Sequence, residues 1–172
     1  MEQSILIFIQ EYIRQPWMDS FWIAITHLGD GGFIWILLSI GLLFFQKTRR
    51  VGITAILSLF LGSLMTNVAL KQIVARARPY EVIQDLQILI ERQSDFSFPS
   101  GHTCASFAAA VVMYQCLPRR YGVLCLILAI LISLSRLYVG VHYPTDVLVG
   151  GVVGYFSAWL AIIIVRKGCH TK

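Results

Sequence analysis

The chain has 172 residues, 57% of them apolar and 13% charged, with a formal net charge of +5 and a mean hydropathy of +0.72. So much apolar surface, gathered in long blocks, exceeds what a soluble domain of this length can bury, so the sequence reads as an all-α polytopic membrane helix bundle, a single domain over residues 1–172. The basic residues form no continuous stripe and no aromatics interleave with them, which excludes a nucleic-acid partner.

In chain order, residues 1–28 come first. Glu11, Arg14, Gln15, Pro16 and Asp19 interrupt their apolar positions, which predicts one or two amphipathic helices lying in the membrane interface, broken at Pro16, with Trp17 and Trp22 as belt residues. No basic start or small-residue cleavage site marks a signal peptide. The transmembrane core is expected over 31–165, in five spans: Gly31–Gln46, Val51–Leu70, Ser100–Leu117, Tyr121–Val139 and Thr145–Val165. The first is short, about 24 Å as a helix; counting the N-terminal segment as a sixth span is the alternative. Small residues recur at every fourth position in two spans, at Thr54, Ser58, Gly62 and Thr66 and at Gly150, Gly154 and Ala158 after Asp146. Such stripes predict close helix packing in lipid. The four cysteines, Cys104, Cys116, Cys125 and Cys169, have neither disulfide-framework nor zinc-ligand spacing.

Charge sets the expected orientation. Lys47, Arg49, Arg50, Arg119, Arg120, Arg166, Lys167 and Lys172 share one side with no carboxylate, whereas all nine acidic residues fall on the other. The excess of Lys and Arg puts the first side in the cytoplasm and the Pro79–Phe98 loop outside, its apolar residues on the outer leaflet.

Three clusters on that outer side carry chemistry. Lys71 and Arg78 stand seven residues apart, two turns of helix, so that both would share one face; Arg76 and Arg92 read as interfacial snorkelling cations. Pro99-Ser100-Gly101-His102 reads as a helix start, with Ser100 as cap, unpaired first-turn N–H groups open to an anion, and Gly101 allowing close approach. Arg136 is followed by Gly140 as a stop, then His142, Pro144 and Asp146; an Asp one turn from a His can fix the imidazole tautomer and leave the other nitrogen to attack. Cations, two imidazoles and a carboxylate at one membrane depth are costly unless functional.

Read together as KQIVARARP, PSGH and SRLYVGVHYPTD, the clusters closely resemble the three-part pattern of the type 2 phosphatidic acid phosphatase family, K-x6-RP, PSGH and SR-x5-H-x3-D, with every position and spacing matched. The resemblance covers roughly residues 51–165, and residues 13–29 resemble the segment before the first shared span in small bacterial members, whose further N-terminal span is not expected here. It implies phosphoryl transfer without a metal: Lys71, Arg78 and Arg136 clamp the phosphate, the Ser100 hydroxyl and Gly101 N–H complete the cradle, His142 is the nucleophile oriented by Asp146, and His102 serves as acid and then base. Asp146 is the lone carboxylate in the motifs, so no metal site and no cofactor are expected. The implied activity is a membrane lipid phosphatase of the bacterial plasma membrane, acting outside. Its expected substrate is undecaprenyl pyrophosphate, with phosphatidylglycerophosphate or phosphatidic acid as alternatives and no obligatory protein partner. A non-enzymatic lipid-phosphate-binding protein is the alternative of another class; the soluble vanadate haloperoxidases that share this cradle are excluded by hydropathy.

Overall fold

Proline and glycine set the first breaks in the chain. In the computed structural model, which describes residues 1–165, α1 (Glu2–Phe8) continues through a π-helical stretch, Ile9–Ile13, and stops at Arg14 and Gln15. Both are extended, Gln15 because Pro16 disfavours helical backbone at the residue before it while suiting the first turn of the next helix. That helix, α2 (Pro16–Leu28), meets α3 (Phe33–Leu43) at a 47° elbow, built on Gly31 and Gly32 with φ of +56° and +72°. α4 (Arg49–Ser63) runs through a π-helical stretch, Leu64–Leu70, into α5 (Lys71–Val74), and a short α6 (Pro79–Val82) follows. A long loop then leads to α7 (Gly101–Cys116), α8 (Arg119–Tyr138) and α9 (Pro144–Val165). All regular elements among the described residues are helical.

Arg49–Val82, α8 and α9 are long and apolar enough to cross a membrane, and the bent α2–α3 pair makes a fourth such unit if taken as one. α3 alone has 11 residues and α7 has 16, short of the roughly 20 that a bilayer core requires. The boundary expected between an interfacial 1–28 and a span at 31–46 falls at the elbow of this bent pair.

α7 is the centre of the bundle, packed on α4, α8 and α9, with Ala108, Ala109 and Ala110 wholly buried. Both small-residue stripes face it. A Cβ on Gly154 would meet the Cys104 carbonyl at 2.5 Å, one on Gly150 the Ser100 carbonyl at 2.7 Å, and one on Gly62 the Cys104 Sγ at 3.0 Å. These approaches bring the backbones together. Trp35 ties α3 to α7 by donating to Ser106 Oγ at 2.9 Å.

Trp22 stacks on Tyr138 with ring centroids 5.2 Å apart. The apolar residues of the long loop turn inward, Leu86 against Leu6 and Tyr143, and Ile88, Leu89 and Ile90 against Tyr138, Val139 and Val141, because burying them over the motif turn removes more apolar surface from water than an exposed loop would. Arg166, Lys167, Cys169 and Lys172 lie outside the described residues.

Candidate active site

The helix ends collect the motif residues at one end of the bundle. Lys71 opens α5, Ser100 caps α7, Arg136 lies in the last turn of α8, and Asp146 in the first turn of α9. The Ser100 N–H donates to the Asp146 carbonyl at 3.0 Å, which fixes the starts of α7 and α9 against each other. Lys71, Arg78, Gly101, His102, Arg136 and His142 line one cavity of about 670 Å³. Its other end is apolar, lined by Ile36 and Ile40 of α3 and Ile56, Leu59 and Phe60 of α4.

Lys71 and Arg78 do meet, but not on two turns of one helix. The helix stops at Val74 because Ala75 takes a left-handed φ of +46°, an uncommon conformation for a residue with a Cβ. The chain turns there and brings Arg78 in as the residue before α6. Both cations hold Asp95, Lys71 directly through its Nζ and Arg78 through Nη2 at 2.5 Å; Arg78 also donates Nε to the Asp95 carbonyl at 2.8 Å and Nη1 to the Val141 carbonyl at 2.9 Å. Burial pushes the Asp95 carboxyl up, yet the Lys71 ammonium and Arg78 guanidinium outweigh it and hold the group below the usual carboxylate range. Asp95 thus sits as a resident anion between two of the cations.

Arg136 is 1% exposed. Its Nη1 donates to Thr26 Oγ1 at 2.6 Å and its buried Nε has no partner. No carboxylate among the described residues lies within ion-pair distance of it, so a buried positive charge faces the cavity without a direct ion pair.

His142 is buried in the turn between α8 and α9. Its Nδ1 lies 3.5 Å from Asp146 Oδ2 and makes no other contact, an approach longer than a formed hydrogen bond, of the kind that tightens when substrate binds. Burial, opposed by Asp146 and reinforced by Arg136 and Arg78, lowers the His142 pKa and keeps the imidazole neutral. Asp146 is itself tightly held: Oδ2 accepts from Ser97 Oγ at 2.5 Å and the Tyr143 N–H at 2.9 Å, and Oδ1 accepts from Arg76 Nη1 at 2.7 Å.

At the start of α7, a Cβ on Gly101 would stand 3.8 Å from Lys71 Nζ, so the bare glycine keeps the cradle open. Ser100 is less accessible than the sequence suggested. It is wholly buried, its Oγ accepting from the Thr103 N–H at 3.4 Å and Thr103 Oγ1 at 3.1 Å, and it does not line the cavity. His102 does, with Nε2 2.9 Å from Asp30 Oδ1.

Sequence reasoning missed several partners. Arg76 is no snorkelling cation: it pairs with Glu2 and Asp146 and lies 3.8 Å over the Tyr143 ring, because left-handed Ala75 turns it back toward α9. Arg92 lies 5.7 Å over the Tyr80 ring. Asp95 and Ser97 sit just before PSGH, where proximity to the motif was an available signal; Thr26 and Asp30 are remote in sequence and carried none.

This buried, cation-rich site with an imidazole beside a carboxylate, set in a helix bundle, is suited to holding a phosphate group. The chain belongs to the PAP2 superfamily, whose sequence profile matches residues 51–168, and it is a membrane phosphatase of that family. It is 34% identical over 136 residues to an undecaprenyl-diphosphatase of Sulfolobus acidocaldarius, covering 79% of this chain and 66% of that relative, so it spans slightly less than two thirds of that protein. It is 33% identical to phosphatidylglycerophosphatase B of Bacillus subtilis, over 93% of this chain and 79% of that one. The crystal structure of LpxE from Aquifex aeolicus superposes with a TM-score of 0.83 at 28% identity, covering 94% of each chain.

Proposed function

We propose that this protein hydrolyses a lipid phosphate or pyrophosphate through a phosphohistidine on His142, with undecaprenyl pyrophosphate as the preferred substrate. The observation that carries the reading is a single cavity with Lys71, Arg78 and Arg136 at one end and Ile36, Ile40, Ile56, Leu59 and Phe60 at the other. The polar end suits a phosphate and the apolar end suits the first part of a lipid tail.

In the first half-reaction the free nitrogen of neutral His142 attacks phosphorus and the bond to the leaving oxygen breaks; a phosphate leaves as its stable anion, whereas an alcohol leaving group takes a proton from His102. In the second, His102 takes a proton from water, the water oxygen bonds to phosphorus, and the bond to His142 breaks. Asp146 holds Nδ1–H throughout. The clamp is Lys71, Arg78 and Arg136 with the Gly101 N–H, and the buried Ser100 hydroxyl acts by capping α7. An entering phosphate takes the place of Asp95 between Lys71 and Arg78. Three fixed cations neutralise developing charge in a site of low dielectric.

Purified protein in detergent containing EDTA should release phosphate from undecaprenyl pyrophosphate with a higher kcat/KM than from phosphatidylglycerophosphate or phosphatidate. Loss of activity in EDTA that Mg²⁺ restores would overturn the clamp. Preference for phosphatidylglycerophosphate would favour the second reading, which the Bacillus subtilis relative supports. Binding without phosphate release would make it a lipid-phosphate-binding protein.

The same reading treats residues 1–172 as one domain and sets α3, α4, α7, α8 and α9 as five spans, with α1 and α2 in the interface, in a bacterial plasma membrane with the site outside. The excess of Lys and Arg in the loops of the basic side supports that orientation. In a background without reactive cysteines, Ser94→Cys, on the exposed part of the loop, should react with an impermeant maleimide on intact spheroplasts. Lys47→Cys should react after permeabilisation alone. The reverse pattern would put the site in the cytoplasm.

A further inference from the structure

We infer that Asp30 is a positioning residue for His102, so that the site holds a second imidazole–carboxylate pair contributed from outside residues 51–168, the stretch matched to the family. This rests on the proposed role of His102. Asp30 Oδ1 lies 2.9 Å from His102 Nε2, and Oδ2 lies 2.7 Å from Nδ1 of His27.

The elbow between α2 and α3 presents this carboxylate. Gly31 and Gly32 both hold positive φ, which a side chain would strain. Gly29 is pressed against the ring, since a Cβ there would meet His102 Cδ2 at 2.8 Å. One turn earlier, Thr26 receives the Arg136 hydrogen bond. The elbow thus touches two residues of the site and fixes the ring on two sides.

The contact assigns the nitrogens. Asp30, as a carboxylate, accepts the Nε2 hydrogen, and Nδ1 is the nitrogen that exchanges a proton. While the bond from phosphorus to the leaving oxygen breaks, Nδ1–H passes its proton to that oxygen. When water attacks the phosphoryl group on His142, Nδ1 accepts the water's proton, phosphate departs and the His142 lone pair returns. Lys71 and Arg136 face the same cavity as His102 and oppose a positive imidazole; Asp30 supplies the compensating negative charge.

A leaving group that needs no proton separates this role from a structural one. In full-length protein, Asp30→Asn and Asp30→Ala are compared with wild type by rapid quench on dioctanoyl phosphatidate, which expels an alcohol, and dioctanoylglycerol pyrophosphate, which expels a phosphate. The first-turnover rate on the phosphatidate should fall about 30- to 100-fold, within the usual worth of a general acid. KM should stay within about twofold, and the rate on the pyrophosphate within about threefold. Equal losses on both substrates, an unchanged rate, or a lower KM at unchanged rate would overturn the proposal; the last would mean Asp30 merely fills an anion site. Wild type that hydrolyses neither substrate would instead refute the parent reading.

Discussion

His142→Ala is expected to lower turnover by about 10⁴-fold or more while the protein still folds and inserts. A covalent catalyst has no substitute once its nucleophilic nitrogen is removed, and the remaining clamp binds without reacting. The side chain is wholly buried yet makes no formed hydrogen bond of its own through Nδ1, so its loss should cost the fold little. Circular dichroism and size exclusion in detergent check the fold, and phosphate release checks turnover. A variant that keeps a tenth of wild-type activity would remove His142 from the nucleophile role.

Arg136→Met is expected to move activity and stability in opposite directions. The side chain is buried against Thr26 with an unpartnered Nε and no carboxylate partner among the described residues, an arrangement that suits an incoming anion and burdens the empty protein. A hydrophobe of similar volume at a buried charge is commonly neutral or stabilising by about 1–4 kcal/mol. For a chain of this size that is a rise in Tm of about 2–4 °C per kcal/mol. Losing one preorganised donor to the transferring phosphoryl group should lower kcat by about 10²- to 10³-fold. Inorganic phosphate should raise the Tm of wild type more than that of the variant. A variant that is both less stable and fully active would contradict the assignment of Arg136 to the clamp.

The comparison of sequence with structure divides along the kind of contact. Helix ends were legible because their chemistry is local. Pro16 and Pro144 start helices, Ser100 caps α7, Gly140 with φ of +81° ends α8, and the small-residue stripes face α7 as their spacing predicted. The gathering of Lys71, Arg78, His102, Arg136 and His142 about one cavity was legible as well, since all stand at helix ends or turns on the same side of the bundle. Long-range ionic choices were not. Arg76 selects Asp146 and Glu2 only because left-handed Ala75 turns the chain, and no periodicity signals that turn. Asp95 bridges Lys71 and Arg78 from a loop whose path is set by burying Leu86, Ile88 and Leu89. Asp30 reaches His102 across 72 residues through an elbow whose glycines read only as a break between helices.

The central claim is a phosphoryl group carried by His142. Wild type and His102→Ala can be mixed with lipid pyrophosphate labelled in the terminal phosphate and quenched in alkali, which preserves phosphohistidine. The account predicts label on the peptide containing His142, stable to base and lost in acid, at higher occupancy in His102→Ala because its second half-reaction lacks a base. Turnover of the same substrate with no base-stable label in either protein, or label on another residue, would contradict it.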